Sequence, residues 1–292
     1  MPGVFNRFDF CTMKLETIKL EKAINKAYFK QSLKRADIDL FKTNMKRLFL
    51  RINQNESEEH NKNIVSDFLK NTYYKKQYEI NTSGRKDLVI HKKSTSQSPV
   101  SVIIETKSPA NKQEMITFDK PNAKALHEII LYYLQERLIK GNKEVKHLII
   151  TNIFEWFIFD ATDFEKYFMA NKSFRNYYEK WTNKDLVGTT TEWFYNEVSK
   201  PFVENELECL HCVYINFLSF QHIENVNEAR IINLYKILSP EHLLKLPFAN
   251  DYNRIDTGFY NELLYILGLQ ETKRTGKKLI NKLVNATKFV FM

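Results

Sequence analysis

The sequence predicts an α/β fold, on three observations. Short runs rich in Val and Ile (Leu88-Val89-Ile90, Val102-Ile103-Ile104, Leu148-Ile149-Ile150) read as buried strands. Apolar residues at helical spacing fill the intervals between them. Only 7 Gly and 7 Pro occur in 292 residues, which argues against repeats of short strands and turns. No internal repeat or low-complexity tract is present.

From the N-terminus, residues 15–52 read as helix, with Leu33, Ile38, Leu40, Phe41, Met45, Leu48 and Phe49 at helical spacing. Asp37 or Asp39 is the candidate cap between two helices. The basic residues Lys34, Arg35, Lys42, Lys46, Arg47 and Arg51 form a solvated face or a phosphate-binding one. Asn55, Glu56, Glu58 and Glu59 open the next helix, where acids suit the positive end of the dipole. Its apolar stripe is Ile64, Val65, Phe68 and Leu69. Stepping back from Val65 through Asn61 places Glu58 on the core side, whereas Glu59 shares the outer face with Asn63, Ser66 and Lys70. Tyr78-Glu79-Ile80 is a strand candidate ahead of a turn at Ser83-Gly84.

Two segments then join acids and a lysine to apolar runs: Lys86-Asp87-Leu88-Val89-Ile90 and Val102-Ile103-Ile104-Glu105-Thr106-Lys107. Period-2 alternation puts Ile103, Glu105 and Lys107 on one face and Ile104 and Thr106 on the other. Charges on buried strands require partners or a metal. The linker from His91 to Ser98, followed by Pro99, has the composition of a hairpin connection. A metal-dependent hydrolytic site is the leading reading. Beyond it, 123–139 read as a helix with Leu126, Ile130, Tyr133, Leu134 and Leu138 inward. On its neighbouring face an ordinary Lys124–Glu128 bridge is expected, with Tyr132 one turn on. His147–Thr151 and Trp156–Asp160 complete the strands.

This arrangement resembles the PD-(D/E)XK nuclease superfamily, in which an Asp on one strand and a Glu-X-Lys on the next cleave phosphodiesters. The predicted order, helix, three strands, helix, strand, strand, matches that core as well. The resemblance implies a restriction-endonuclease-like core, a mixed sheet flanked by helices, with additional helical N- and C-terminal segments. It implies Asp87, Glu105 and Lys107 as catalytic residues, joined by an acid from the preceding helix, Glu58 or alternatively Glu59. Asp87, Glu105, Glu58 and the Thr106 carbonyl would hold one or two Mg²⁺ ions. In many members a Gln and a Tyr four apart follow on the next helix; Glu128 and Tyr132 have that spacing here, with Glu in place of Gln.

Further segments are similar to the N-terminal region of type IIG restriction–modification enzymes: Asn25-Lys26-Ala27-Tyr28-Phe29-Lys30, Lys124-Ala125-Leu126-His127-Glu128, Glu155-Trp156-Phe157-Ile158-Phe159-Asp160, Leu238-Ser239-Pro240-Glu241-His242 and Phe259-Tyr260-Asn261-Glu262-Leu263-Leu264-Tyr265. Those enzymes fuse a nuclease to an adenine-specific methyltransferase and a target-recognition domain. No Asn-Pro-Pro-Tyr and no Gly-rich cofactor loop occurs here. The chain is therefore expected to be the nuclease end of a larger enzyme, with S-adenosylmethionine used only in the absent methyltransferase part. The expected division is a nuclease domain over 1–235 and a helical connector over 236–292. Within the first lie an arm at 1–54, a core at about 55–165, and a helical extension with a return strand at 166–235. Expected partners are double-stranded DNA, methyltransferase and target-recognition domains in cis or trans, and a second copy for double-strand cleavage. A non-catalytic DNA-binding or connector module, or a nuclease acting on RNA or damaged DNA, is the alternative.

Bulk properties fit this picture. The formal net charge of +9 suits a polyanionic partner. No apolar run of about twenty residues is present, so no membrane span is expected. Three cysteines without disulfide-like spacing fit a reducing cytoplasm. Cys209-Leu210-His211-Cys212 is read as two cysteines at the start of an apolar run rather than as zinc ligands. Gly276-Lys277-Lys278 reads as part of a basic helix surface with Lys273, Arg274 and Lys282. His91 reads as a strand-end residue near solvent. Tyr167, Phe168, Phe174, Tyr177, Tyr178 and Trp181 read as helical core.

Overall fold

The computed structural model describes residues 13–53, 57–84, 86–247, 257–274 and 277–282. The chain forms two compact units, 1–246 and 247–292. The first is a mixed α/β unit built on a seven-stranded sheet. Its strands are β1 (Lys14–Thr17), β2 (Ile80–Ser83), β3 (Lys86–His91), β4 (Val100–Thr106), β5 (His147–Thr151), β6 (Glu155–Asp160) and β7 (Cys209–Asn216). They run in the order β1-β7-β6-β5-β4-β3-β2. The β4–β5 and β1–β7 pairs are parallel and the others antiparallel.

The longer helices are α1 (Arg35–Arg51), α2 (Glu58–Leu69), α3 (Lys124–Leu134), α4 (Lys172–Thr182) and α5 (Glu228–Leu238). The order α2, β2-β3-β4, α3, β5-β6 is the one expected from the sequence. All seven residues of β4 are buried, as a central strand covered on both faces requires. Val89, Ile103, Leu148, Ile150, Phe157 and Phe159 share one core with α3 and α4. The alternate residues Leu88, Ile104, Ile149 and Trp156 are buried as well. Helix α3 is apolar nearly all round and is buried from Ala125 to Leu134, so it is an internal helix rather than a surface one. Ser57 caps α2 by accepting from the His60 N–H at 3.2 Å. The turn into β3 passes through Gly84 at φ +63°, where a Cβ would be strained.

Several sequence expectations change. Residues 14–17 form an edge strand, not the start of a helix; Lys-Leu-Glu-Thr buries only Leu15, so too little pattern exists to reveal it. Asp37 and Asp39 lie within the continuous helix α1 and cap nothing. Half of the basic residues from Lys34 to Arg51 are paired: Arg35 with Asp39 and Glu228, Lys46 with Glu224, and Arg51 with Asp67. His91 is 3% exposed rather than near solvent, and its ring bonds Ser98 O at 2.7 Å and Asn81 Oδ1 at 3.0 Å, fastening the hairpin loop. Asn55 and Glu56, expected to open α2, lie outside the described residues.

The boundary expected at 235/236 falls inside α5, and the division between units lies at 246/247. Residues 236–246 belong to the first unit. The buried Lys236 ammonium donates to the carbonyls of Tyr28, Phe29 and Gln31. Tyr28 Oη and Ser239 Oγ are hydrogen-bonded at 2.8 Å, and Tyr74 Oη donates to Leu238 O at 2.9 Å. The second unit contains α6 (Thr257–Ile266) and an antiparallel hairpin of β8 (Leu269–Arg274) and β9 (Lys277–Lys282). The sequence predicts a helical connector here, but the basic segment pairs as strands instead. Gly276 lies outside the described residues. Within α6 Leu264 is buried, whereas Leu263, Tyr265 and Ile266 are exposed. Among the described residues no helix is long and apolar enough to cross a membrane.

Two histidines couple the fold to pH. His147 Nδ1 bonds Leu243 O at 2.8 Å, and its ring lies 4.7 Å from that of His242. Burial, with Lys245 nearby, holds the His147 pKa down to about 4, and burial beside His147 holds His242 well below its ordinary value. An unfolded histidine titrates near 6.5. The stability these neutral rings contribute is present above about pH 6.5 and is lost as pH falls toward 4, because only the unfolded chain takes up the protons. The expected loss between pH 7 and pH 5 is on the order of 2 kcal/mol for His147. Urea denaturation at the two pH values measures it; a His147→Gln variant should lose less, and an identical loss would refute the assignment.

Candidate metal centre

The site lies where β3 begins and β4 ends, beside the N-terminus of α2. Leu88 pairs with Ile104, so Asp87 and Glu105 stand across from each other at the next step of the ladder. Asp87 is fixed from β4: its Oδ2 accepts from the Thr106 N–H at 2.9 Å and the Thr106 Oγ1–H at 2.8 Å. Glu58, the first residue of α2, reaches the same place. One carboxylate oxygen each from Glu58, Asp87 and Glu105 lie within 4.8 Å of one another. Glu59 turns away, 64% exposed and paired with Lys62.

Lys107 follows β4 directly, its backbone N–H held by Thr151 O at 2.8 Å. Its buried Nζ stands 2.8 Å from Glu105 Oε1, 2.6 Å from Glu128 Oε2, 3.8 Å from Glu114 Oε2 and 3.9 Å from Glu58 Oε1. Burial opposes its charge, but the Glu105 and Glu128 carboxylates outweigh burial and raise its pKa above that of an ordinary lysine. Lys107 is therefore a fixed cation near neutral pH and a poor proton acceptor.

Burial drives Glu105 the other way, well above the ordinary carboxylate range. Glu128 and Asp87 add to the rise and Lys107 opposes it. Glu58 is raised too, by burial first, with Lys107 opposing and Asp87, Glu128 and Glu114 reinforcing. The acids thus crowd one another beyond what a single ammonium offsets.

The fit of a metal can be tested on the residues themselves. Glu105 Oε2 is buried and has no hydrogen-bond donor among the described residues. A buried carboxylate oxygen without a donor, on a residue whose carboxylate lies within 4.8 Å of two others, is a place for a cation or a proton. The donors are all hard oxygens, which suits Mg²⁺ or a similar ion. The set fits.

Two residues were misjudged or missed from sequence. Glu128 does not bridge to Lys124 on the helix surface; α3 carries it inward to Lys107, because α3 is internal. Lys124 bonds instead to Glu114 at 2.9 Å, which also receives Asn111 Nδ2 at 3.0 Å. Those two donors and Lys107 hold the Glu114 pKa down against its partial burial. Glu114 sits in the irregular loop 107–123, where no periodicity marks it. Tyr132, one turn beyond Glu128, is buried, and burial together with Glu105, Glu128 and Asp87 raises its phenol. Lys86 Nζ lies 5.6 Å from its ring centroid and 3.2 Å from the buried Glu136.

No curated protein and no solved structure matches the chain. Residues 252–289, within the second unit, match the family model described as Domain of unknown function (DUF7814). The acidic centre and strands β2 to β7 lie within residues 18–251, which match the model of Domain of unknown function (DUF7149), and the chain belongs to that family.

Proposed function

We propose that this protein is a divalent-metal-dependent endonuclease that hydrolyses phosphodiester bonds in DNA, with a PD-(D/E)XK-type site. The observation that carries the reading is the convergence of the Glu58, Asp87 and Glu105 oxygens within 4.8 Å, with the Lys107 ammonium 2.8 Å from Glu105. The strand order and the resemblance of the sequence support it, as does the charge of +9, which favours a polyanionic substrate. As the cleavage part of a restriction–modification system, the chain would receive its target choice from recognition and methyltransferase domains in cis or trans.

Asp87, Glu105 and Glu58, with the Thr106 carbonyl, would hold Mg²⁺. When bound, the ion supplies Lewis-acid polarisation of the phosphate and a lowered pKa for water. The protein contributes the rest. Thr106 locks the Asp87 carboxylate in place. Glu105 and Glu128 hold Lys107 protonated and pointed at the acids, where it offsets negative charge that grows on the phosphate during attack. Paired with Glu105 and Glu128, a protonated Lys107 would do electrostatic rather than general-base work. Glu114 holds Lys124 near the centre, a second positive charge for an incoming backbone.

Plasmid DNA incubated with the full chain and Mg²⁺ should be nicked or linearised. Lys107→Ala should lower the rate by on the order of 10²–10³-fold, as loss of one charge-stabilising donor does. Asp87→Asn and Glu105→Gln should abolish both cleavage and Mg²⁺ binding by calorimetry. If the folded parent binds Mg²⁺ and cuts neither duplex DNA, nicked DNA nor RNA, the reading fails and a non-catalytic DNA-binding module takes its place.

Glu58→Gln should weaken Mg²⁺ binding and slow cleavage, while Glu59→Gln leaves both unchanged. The contrast follows from Glu58 reaching the cluster and Glu59 pairing with Lys62. Calorimetric titration of both variants checks it, and indifference to the Glu58 change would remove that residue from the centre.

A further inference from the structure

A second set of ligating groups lies at the opposite edge of the sheet. Strand β7 alternates, so Cys209 and His211 share one side, while Leu210 and Cys212 face the core. Cys212 is 1% exposed, and burial pushes its thiol up to about 12, which keeps it a neutral core residue. The parallel pairing of β1 with β7 sets Glu16 opposite His211. The Cys209 sulfur, a His211 ring nitrogen and a Glu16 carboxylate oxygen lie within 4.8 Å of one another.

The histidine is held from behind. Its Nδ1 is 3.2 Å from Asp163 Oδ2 and its Nε2 is 3.4 Å from Glu16 Oε2. A neutral ring that donates Nδ1–H to Asp163 turns a lone pair on Nε2 toward a carboxylate that also only accepts. Two acceptors that face each other are satisfied by a metal ion between them or by a second ring hydrogen. Donors about 2.0–2.1 Å from a tetrahedral ion stand roughly 3.3 Å apart, close to the separation found. A carboxylate behind a ligating histidine is the usual outer support of such a centre.

We propose that Cys209, His211 and Glu16 bind a zinc-type divalent ion at the β1–β7 edge, with Asp163 orienting His211. The mixed sulfur, nitrogen and oxygen set selects a borderline-soft ion over Mg²⁺. Three protein ligands leave the fourth position to water. The ion would fasten β1, a four-residue edge strand, to β7 beyond their shared backbone bonds. The sequence hides the site because the ligands are Cys209 and His211, two apart, and not the Cys209–Cys212 pair. The inference is independent of the nuclease reading, since it uses none of the same residues.

The test uses the full chain after chelation and dialysis. Co²⁺ should give sulfur-to-cobalt charge-transfer absorption at one equivalent, and Zn²⁺ should displace it and raise Tm. Cys209→Ser should abolish that absorption, and Cys212→Ser should leave it intact. Asp163→Asn should weaken Zn²⁺ binding by roughly 10–100-fold, as loss of an outer carboxylate does, and His211→Ala by more than that. Tm without metal confirms that each variant folds. Absence of the absorption in the parent overturns the proposal and leaves a protonated His211 between two carboxylates. Zn²⁺ binding that is unchanged in both Cys209→Ser and His211→Ala also overturns it, and places that ion at the acidic centre instead.

Discussion

The Lys107 ammonium is the contact on which the acidic centre depends. It is 3% exposed and lies within 4 Å of four carboxylates, two of them at hydrogen-bond distance. Removing a charge of either sign from such a group leaves its partners buried and unpaired, which costs more than the pair itself contributes. The elements that meet there (the end of β4, the start of α2, the middle of α3 and the loop 107–123) are unrelated in local structure. Their common feature is that each supplies a carboxylate or the lysine.

That convergence also explains why the centre is built on the most buried part of the fold. Strand β4 is covered on both faces and α3 is internal, so neither Glu105 nor Glu128 can relax into water. Side chains held this way keep their geometry without a ligand present, which lowers the ordering cost when a cation or a phosphate arrives. Asp87 is treated differently. It is positioned by two hydrogen bonds from Thr106 rather than by burial alone. The strand pattern assigned Thr106 to the opposite face from Glu105, yet its backbone N–H and hydroxyl reach Asp87 at the strand end.

The sequence exposed the parts of this design that repeat. Strands β3 to β6 and helix α3 were legible because each carries an apolar period, and Asp87, Glu105 and Lys107 stood out as charges inside those runs. Glu58 followed from one helical step. What stayed hidden has no period. Glu114 lies in an irregular loop and acts through Asn111 and Lys124. Strand β1 is too short and polar to register, and misreading it as helix concealed Glu16 opposite His211. The β8–β9 hairpin was missed because its basic residues mimic a solvated helix face. Glu128 was visible, but its partner was not: an i,i+4 neighbour is the natural guess only for a surface helix.

Charge balance gives the acidic centre its direction. Glu58, Asp87, Glu105, Glu114 and Glu128 gather around two ammoniums, Lys107 and Lys124, among the described residues. With every carboxylate ionised, three negative charges remain uncompensated around a buried Lys107 and Glu105. Protons can relieve this, and the raised Glu105 and Glu58 show where they would go. A divalent cation, as proposed, would relieve more of it in a single step and would satisfy the orphaned Glu105 Oε2. Lys107 would keep partners beside such an ion, because Glu128 and Glu114 pair with it as well as Glu105. Glu114 and Glu128 thus hold the lysine in place independently of the three acids proposed to hold the ion.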